Sequence, residues 1–474
     1  MKDKTVLPEA NRINRVAVPT VLRLLLPVLA LVAGVTGSGD AWGQAGDDGY
    51  SWQKAHAKIL PGGDLAWAPQ PFRLEQGKTV RYIDFANGSD AGDGRSKDSA
   101  WKHHPGDPKA TGNAKAGAGA DTYIFKRGVV YRGRIVLDAA GTAENPVRLT
   151  SDPNWGTGEA VICGADIVTG WKQGAEHEDI PDPGRVWVAE LDYAPRSVWT
   201  VQEDGTAERI PVARTPNWTV TDPEQVTSEW WEWDQPQWWK RKNKMTVGGR
   251  KMHLGIDKEH VTGDADYFED AIVWTEWGIV MGTPFPTKVE AVNMQKHGLA
   301  FQGIWWRDTG VIITDNRYYL EDKPHYLDAP GEHWFEKTGR GGRLHVRLPD
   351  DADPNTVRVE AARRYNLLED AASAKAPKRT DVLSPERRAA LDTSGIQHVV
   401  ISGLTFRFTN QWWNLEFPAW MHKHVDSAAI RLRGACTGVQ VSNCRFEHVT
   451  QGVHVSPLNA RVRNGDFLIT DNHI

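Results

Sequence analysis

Three stretches late in the chain share one pattern of apolar and polar positions. VVISGLTF (399–406), VQVSNCRF (439–446) and FLITDNHI (467–474) align residue for residue, with copies 40 and 28 residues apart. In each, an apolar residue (Ile401, Val441, Ile469) precedes a small hydroxyl residue (Ser402, Ser442, Thr470). A turn former follows (Gly403, Asn443, Asp471), and a strand resumes toward Phe406, Phe446 or Ile474. Strand, one-residue bend, strand, repeated at short intervals, describes a chain that coils. β-rich repeats with Asn or Gly corners predict a parallel β-helix, an all-β solenoid. The last copy ends at Ile474 without a polar cap, so the sequence reads as incomplete at its C-terminus, with site residues expected beyond it.

Short runs of alternating apolar residues separated by Gly, Asn and Asp turns begin at Val80 and recur through 121–137, 146–156 and 160–171. Residues 200–392 break this rhythm, being longer, more charged and more aromatic, and are expected to form an inserted side domain. Within them, 367–391 (LLEDAASAKAPKRTDVLSPERRAAL) reads as helix or loop. The expected organisation is a leader at 1–45, a Gly- and Pro-rich linker at 46–77, solenoid at 78–199, the insert at 200–392 and solenoid again at 393–474.

The leader carries Lys2, Lys4, Arg12, Arg15 and Arg23, then a short apolar core from Leu24 to Val35, then small residues around Ala41 to Ala45. That is the pattern of a secretory signal peptide, and the apolar run is too short to span a bilayer. Export is therefore expected, to the periplasm, cell surface or medium, with no membrane insertion after cleavage. Cleavage would remove five basic and three acidic residues, taking the formal charge from −5 to −7. A mildly acidic exported chain lacks the basic footprint of a nucleic-acid binder. Cys163, Cys436 and Cys444 are too few for a disulfide framework. A small core residue is the expected role of Cys444, with a Cys436–Cys444 bridge as the alternative.

Three segments carry a family resemblance: YIDFANGSDAGDGRS (82–96), VARTPNW (212–218) and YYLEDKPHYLDAPGEHWFEKTGRGGRLHVRLPDDADPN (318–355). They resemble secreted right-handed parallel β-helix proteins of the polysaccharide-degrading superfamily, glycosidase-like and pectate-lyase-like. The resemblance implies a right-handed solenoid and a polysaccharide substrate. It tilts the expected reaction toward glycoside hydrolysis, with a polysaccharide lyase or a non-catalytic glycan-binding surface protein as alternatives.

Candidate chemistry follows from strand parity. In AAIRLRG (428–434), inward Ile430 and Leu432 place Arg431 and Arg433 outward; in GVHVS (452–456), inward Val453 and Val455 place His454 and Ser456 outward. Both offsets are 23 residues, so Arg431 should stack beside His454 at roughly 4.8 Å, the strand spacing. This forms a possible catalytic floor, on the face where the family usually works.

Twelve extra residues in the longer repeat correspond to QWWNLEFPAWMH (411–422). They supply Trp412, Trp413 and Trp420 as a glycan-holding wall, followed by His422, Lys423, His424 and Asp426; Glu447 and His448 come one coil later. Asp426 and Glu447 are the available carboxyl pair for hydrolysis. His454, Lys423 and Arg431 would suit a lyase. Eleven of the 22 tryptophans lie between Trp199 and Trp306, as a sugar surface or as the insert's core. No cofactor is expected. GSDAGDG (88–94) has the oxygen-rich look of a calcium loop without its spacing, and turn chemistry explains it more simply.

Overall fold

The fold is described from a computed structural model, for residues 57–59, 61, 65–67, 70–220, 222, 224–234, 244–277, 280–302, 316–377, 383–415 and 425–474. Three sheets are wholly parallel. The longest holds Val80–Ile83, Thr122–Phe125, Val147–Ser151, Ser394–Ser402, Ala435–Ser442 and Gly465–Thr470, in that order. A second holds Val129–Tyr131, Ala160–Cys163, Thr405–Arg407 and Arg445–Glu447; a third holds Ile135–Leu137, Asn366–Asp370, Ala428–Leu432 and Val453–Val455. From Thr122 onward the chain visits long, second and third sheet in the same cyclic order. The register is the one read from the repeats: Val399, Val439 and Phe467 pair in line, as do Ile401, Val441 and Ile469, and Phe406 with Phe446.

Three bends recur at aligned positions in the later passes, and each lies in the left-handed region. The first falls at His398, Gly438 and Asp466, the second at Gly403, Asn443 and Asp471, the third at Phe408 and His448. Gly, Asn and Asp tolerate this backbone and His enters it more readily than most residues, whereas Phe408 reaches it against its own preference. Asn side chains also close the ladder: Asn472 Oδ1 accepts from Cys444 N–H, and Asn464 Oδ1 from Cys436 N–H, both at 2.9 Å. Inside, Leu149, Ile401, Phe406, Ile430, Val441, Cys444 and Phe446 share one apolar core. All three cysteines are buried free thiols, so the Cys436–Cys444 bridge is absent.

Antiparallel sheets occupy 165–362, a span that begins and ends earlier than the expected 200–392. The parallel passes resume at Asn366–Asp370, bonded to Ile135–Leu137 and Ala428–Leu432. This strand was expected to be helix or loop, because LLED followed by AASAK has helix-former composition. Burial of Leu367 and Leu368 in the core overrides that propensity, while Ala371–Lys375 and Pro385–Ala389 in the same stretch are helical as expected. The insert has its own core around Trp233, Phe268, Trp277, Phe301 and Tyr318, so several of the clustered tryptophans are structural.

Phe406 and Phe446 stack at 5.4 Å in successive passes. Truncating Phe446 to Ala should therefore lower the unfolding free energy by roughly 3–5 kcal/mol, read from denaturant titration; a loss near zero would place this ring outside the packed interior.

Candidate active site

The predicted floor has the expected register but not the expected exposure. Arg431 pairs with His454 in neighbouring strands, while Ile430 and Leu432 point into the core. Yet Arg431, His454 and Asp426 are all buried. Helix Ala371–Lys375 lies over this face, and Arg431 donates to Ser373 O at 2.9 Å. Its guanidinium clasps Asp426 through Nε (2.6 Å) and Nη2 (2.8 Å) and reaches Glu369 at 3.0 Å; Arg134 meets the other oxygen of Glu369 at 2.7 Å. Asp370 accepts from Arg433 and Gly434 N–H, which ties helix to strand. Parity fixes which face a side chain takes, but not what later folds over that face.

The other expected residues disperse. Glu447 ends a second-sheet strand, bonded to Arg407 at 2.8 Å and to Arg445. Asp426 and Glu447 are each held by a different arginine, Asp426 by Arg431 and Glu447 by Arg407 and Arg445. His448 is exposed beside Phe408, itself stacked on Trp199 at 4.2 Å. Trp412 and Trp413 are half-buried; Trp413 packs on the insert's core, edge-on to Trp274 at 5.7 Å. Trp420, His422, Lys423 and His424 lie outside the described residues. In GSDAGDG, Asp90 holds His103 and Thr111, and Asp93 holds Ser99 and Arg95.

A different cluster has the marks of a site, and the segments that carried the family resemblance build it. Arg214–Thr215, from VARTPNW, pairs with Leu320–Glu321, from YYLE. Glu332, of PGEHW, begins strand Glu332–Thr338, and the Arg214 N–H donates to its Oε1 at 3.3 Å. Around them is a cavity of about 600 Å³ whose wall includes Arg209, Arg214, Trp218, Glu229 and Glu332. The Glu332 side chain is only 4% exposed and its Oε2 has no partner among the described residues. Burial, with Asp328's charge adding, pushes its pKa up to about 9, so it is a protonated acid at neutral pH.

An aromatic wall adjoins this acid. Arg214 lies 4.0 Å over the Trp218 ring. Trp218, Trp230 and Trp274 surround Tyr319 at 5.7, 4.6 and 6.0 Å; the last contact follows from Trp274 and Tyr319 being cross-strand partners. The indole N–H groups of Trp218, Trp230, Trp274 and Trp413 have no partner among the described residues. Each orphaned buried donor costs about 1–3 kcal/mol, and of the four only Trp218 lines the cavity. Parity in the repeats could not find this site, because no repeat contains it. The available signal was the pairing of Arg214 and Glu332 within the two recognisable segments.

No protein-family model and no curated protein matches the chain. A solved structure named "Glycoside hydrolase" shares the fold with a TM-score of 0.51 and 13% identity, over 78% of this chain and 62% of its own. A second, "The complex structure of XylC with xylose", gives a TM-score of 0.31 at 13% identity over 78% and 42%. The chain thus spans less than two thirds of either. The likeness to the first of these is one of fold.

Replacing Arg431 by Ala leaves Asp426 buried without its clamp. We expect unfolding free energy to fall by roughly 3–5 kcal/mol in denaturant titrations; unchanged stability would contradict the buried network.

Proposed function

We propose that the chain is an exported right-handed parallel β-helix with an inserted aromatic-rich domain, and that it hydrolyses a glycan at the Glu332 cavity. The cyclic order of the three parallel sheets supports the solenoid, and crossovers between parallel strands are almost always right-handed. The basic n-region and short apolar stretch of the leader support export. No helix among the described residues is long and apolar enough to cross a membrane.

One observation carries the reaction: a buried, protonated Glu332 whose Oε2 faces no partner, in a cavity walled by tryptophan. A carboxylic acid kept neutral by burial can protonate a glycosidic oxygen as the bond to the anomeric carbon breaks. Glu229, exposed on the same wall, supplies the second carboxyl that hydrolysis requires. Trp218, with an apolar face and a free N–H, holds a pyranose ring. In this reading Arg431, Asp426 and His454 stabilise the third sheet, and Glu447 anchors the second. A lyase is the second reading, favoured by the guanidinium groups of Arg209 and Arg214, which could stabilise an enolate. New reducing ends without unsaturated sugar indicate hydrolysis; unsaturated ends indicate the lyase.

Glu332→Gln should lower kcat by about 10²- to 10⁴-fold while leaving the fold intact. Its effect on stability has a definite sign. The folded-state acidity lies above the ordinary glutamate value of 4.5, so between 4.5 and about 9 the folded state binds more protons than the unfolded one. This contribution is fully present below 4.5 and is lost as pH rises toward 9. The variant should flatten the decline of melting temperature between neutral and alkaline pH; an unchanged slope would count against a raised Glu332.

A further inference from the structure

Residues 70–79 cross the outer face of the long sheet in one extended run, from the end of Gly465–Thr470 back to the start of Val80–Ile83. Gln70 N–H donates to Asp471 Oδ1 at 2.9 Å, and Gln70 O accepts from Asn443 Nδ2. Phe72 lies against Gly403, where a Cβ would come within 2.6 Å of its ring. Leu74 packs with Ile124 and Trp155, outside the main core. Gly77 N–H then donates to Thr122 Oγ1 at 2.9 Å, and the Lys78 and Thr79 N–H groups donate to Asp121 at 2.8 and 3.0 Å. Asp471, Asn443 and Gly403 form the same bend in three successive passes. The residue steps from Gln70 to Gly77 extend about 23 Å, and the strand spacings between Gly465–Thr470 and Thr122–Phe125 amount to about 19 Å. The segment therefore takes a nearly straight path over the intervening strands.

Passes that touch only their neighbours open one at a time, beginning at an end of the stack. A tie along the whole sheet changes that. Gln70 and Asp471 stand 401 positions apart in the chain, so their bond links the first strands directly to a pass far from them. We infer that residues 70–77 are a clasp that couples the Gly465–Thr470 strand to the start of the sheet, so that the stack opens as a unit. Gly403 is fitted to this contact, because its φ of +62° and the Phe72 ring both exclude a side chain there. The clasp does not depend on the reaction proposed above.

Hydrogen exchange on the full chain, read by mass spectrometry, tests this. Phe72→Ala and Gln70→Pro, the latter removing the N–H that Asp471 accepts, should each speed exchange about tenfold or more within Ala435–Ser442 and Gly465–Thr470. Phe72→Leu should recover part of the protection, and a change at the exposed Arg73, Arg73→Ala, should alter nothing. The insert strand Glu332–Thr338 should keep its protection throughout. Faster exchange confined to residues 70–79 would make the segment a passive surface strand and overturn the inference. So would uniform acceleration that includes Glu332–Thr338, which reports a general loss of stability. Should Phe72→Ala fail to fold, Gln70→Pro decides by the same comparison.

Discussion

The left-handed bends govern the architecture. Parallel strands can stack in register only if every pass turns at the same places, and a one-residue slip would send apolar side chains to the outer face. Here the constraint is met by aligned positive-φ residues at His398, Gly438 and Asp466, at Gly403, Asn443 and Asp471, and at Phe408 and His448. Between these points the backbone is committed to the ladder. The side chains of 399, 401, 404 and 406 and their equivalents then reach the interior, giving a core continuous from pass to pass.

The corner between second and third sheet tolerates length, and the candidate site grows from it. The antiparallel insert leaves after Cys163 and returns at Asn366, at the same corner from which residues 408–415 depart one pass later. Stacking puts the two excursions side by side. Asn410 ties them together: its Oδ1 accepts from Arg196 N–H and its Nδ2 donates to Ala194 O. Trp413 extends from this loop onto the insert's core, beside the tryptophans around Tyr319. The cavity with Glu332 is thus built largely within the excursion, while the regular passes serve as scaffold. This division matches the general placement of binding residues on loops held by a rigid frame.

Charge is used in opposite ways at two places. Under helix Ala371–Lys375, Arg431 is surrounded by Glu369 and Asp426, so burial is compensated and the cluster holds the outer layer to the sheet. At the cavity, Glu332 is buried and Arg214 half-buried, neither with an ion-pair partner among the described residues, and Glu332 answers by keeping its proton. The first arrangement is complete in itself, whereas the second leaves polar groups uncompensated.

The repeats alone determined the parallel register, the bend at Gly403, Asn443 and Asp471 and the outward parity of Arg431, because strand side chains alternate and only certain residues accept positive φ. Segments 212–218 and 318–355, by their resemblance, marked the part of the chain that builds the cavity. Tertiary structure alone decided that helix Ala371–Lys375 covers Arg431, that Asp426 and Glu447 bond to different partners, and that Asn366–Asp370 is a strand. It also decided that Glu332 loses its contact with water. Local pattern specifies the face on which a side chain stands; solvation and ionisation depend on what packs against that face from far along the chain, and no local period encodes that.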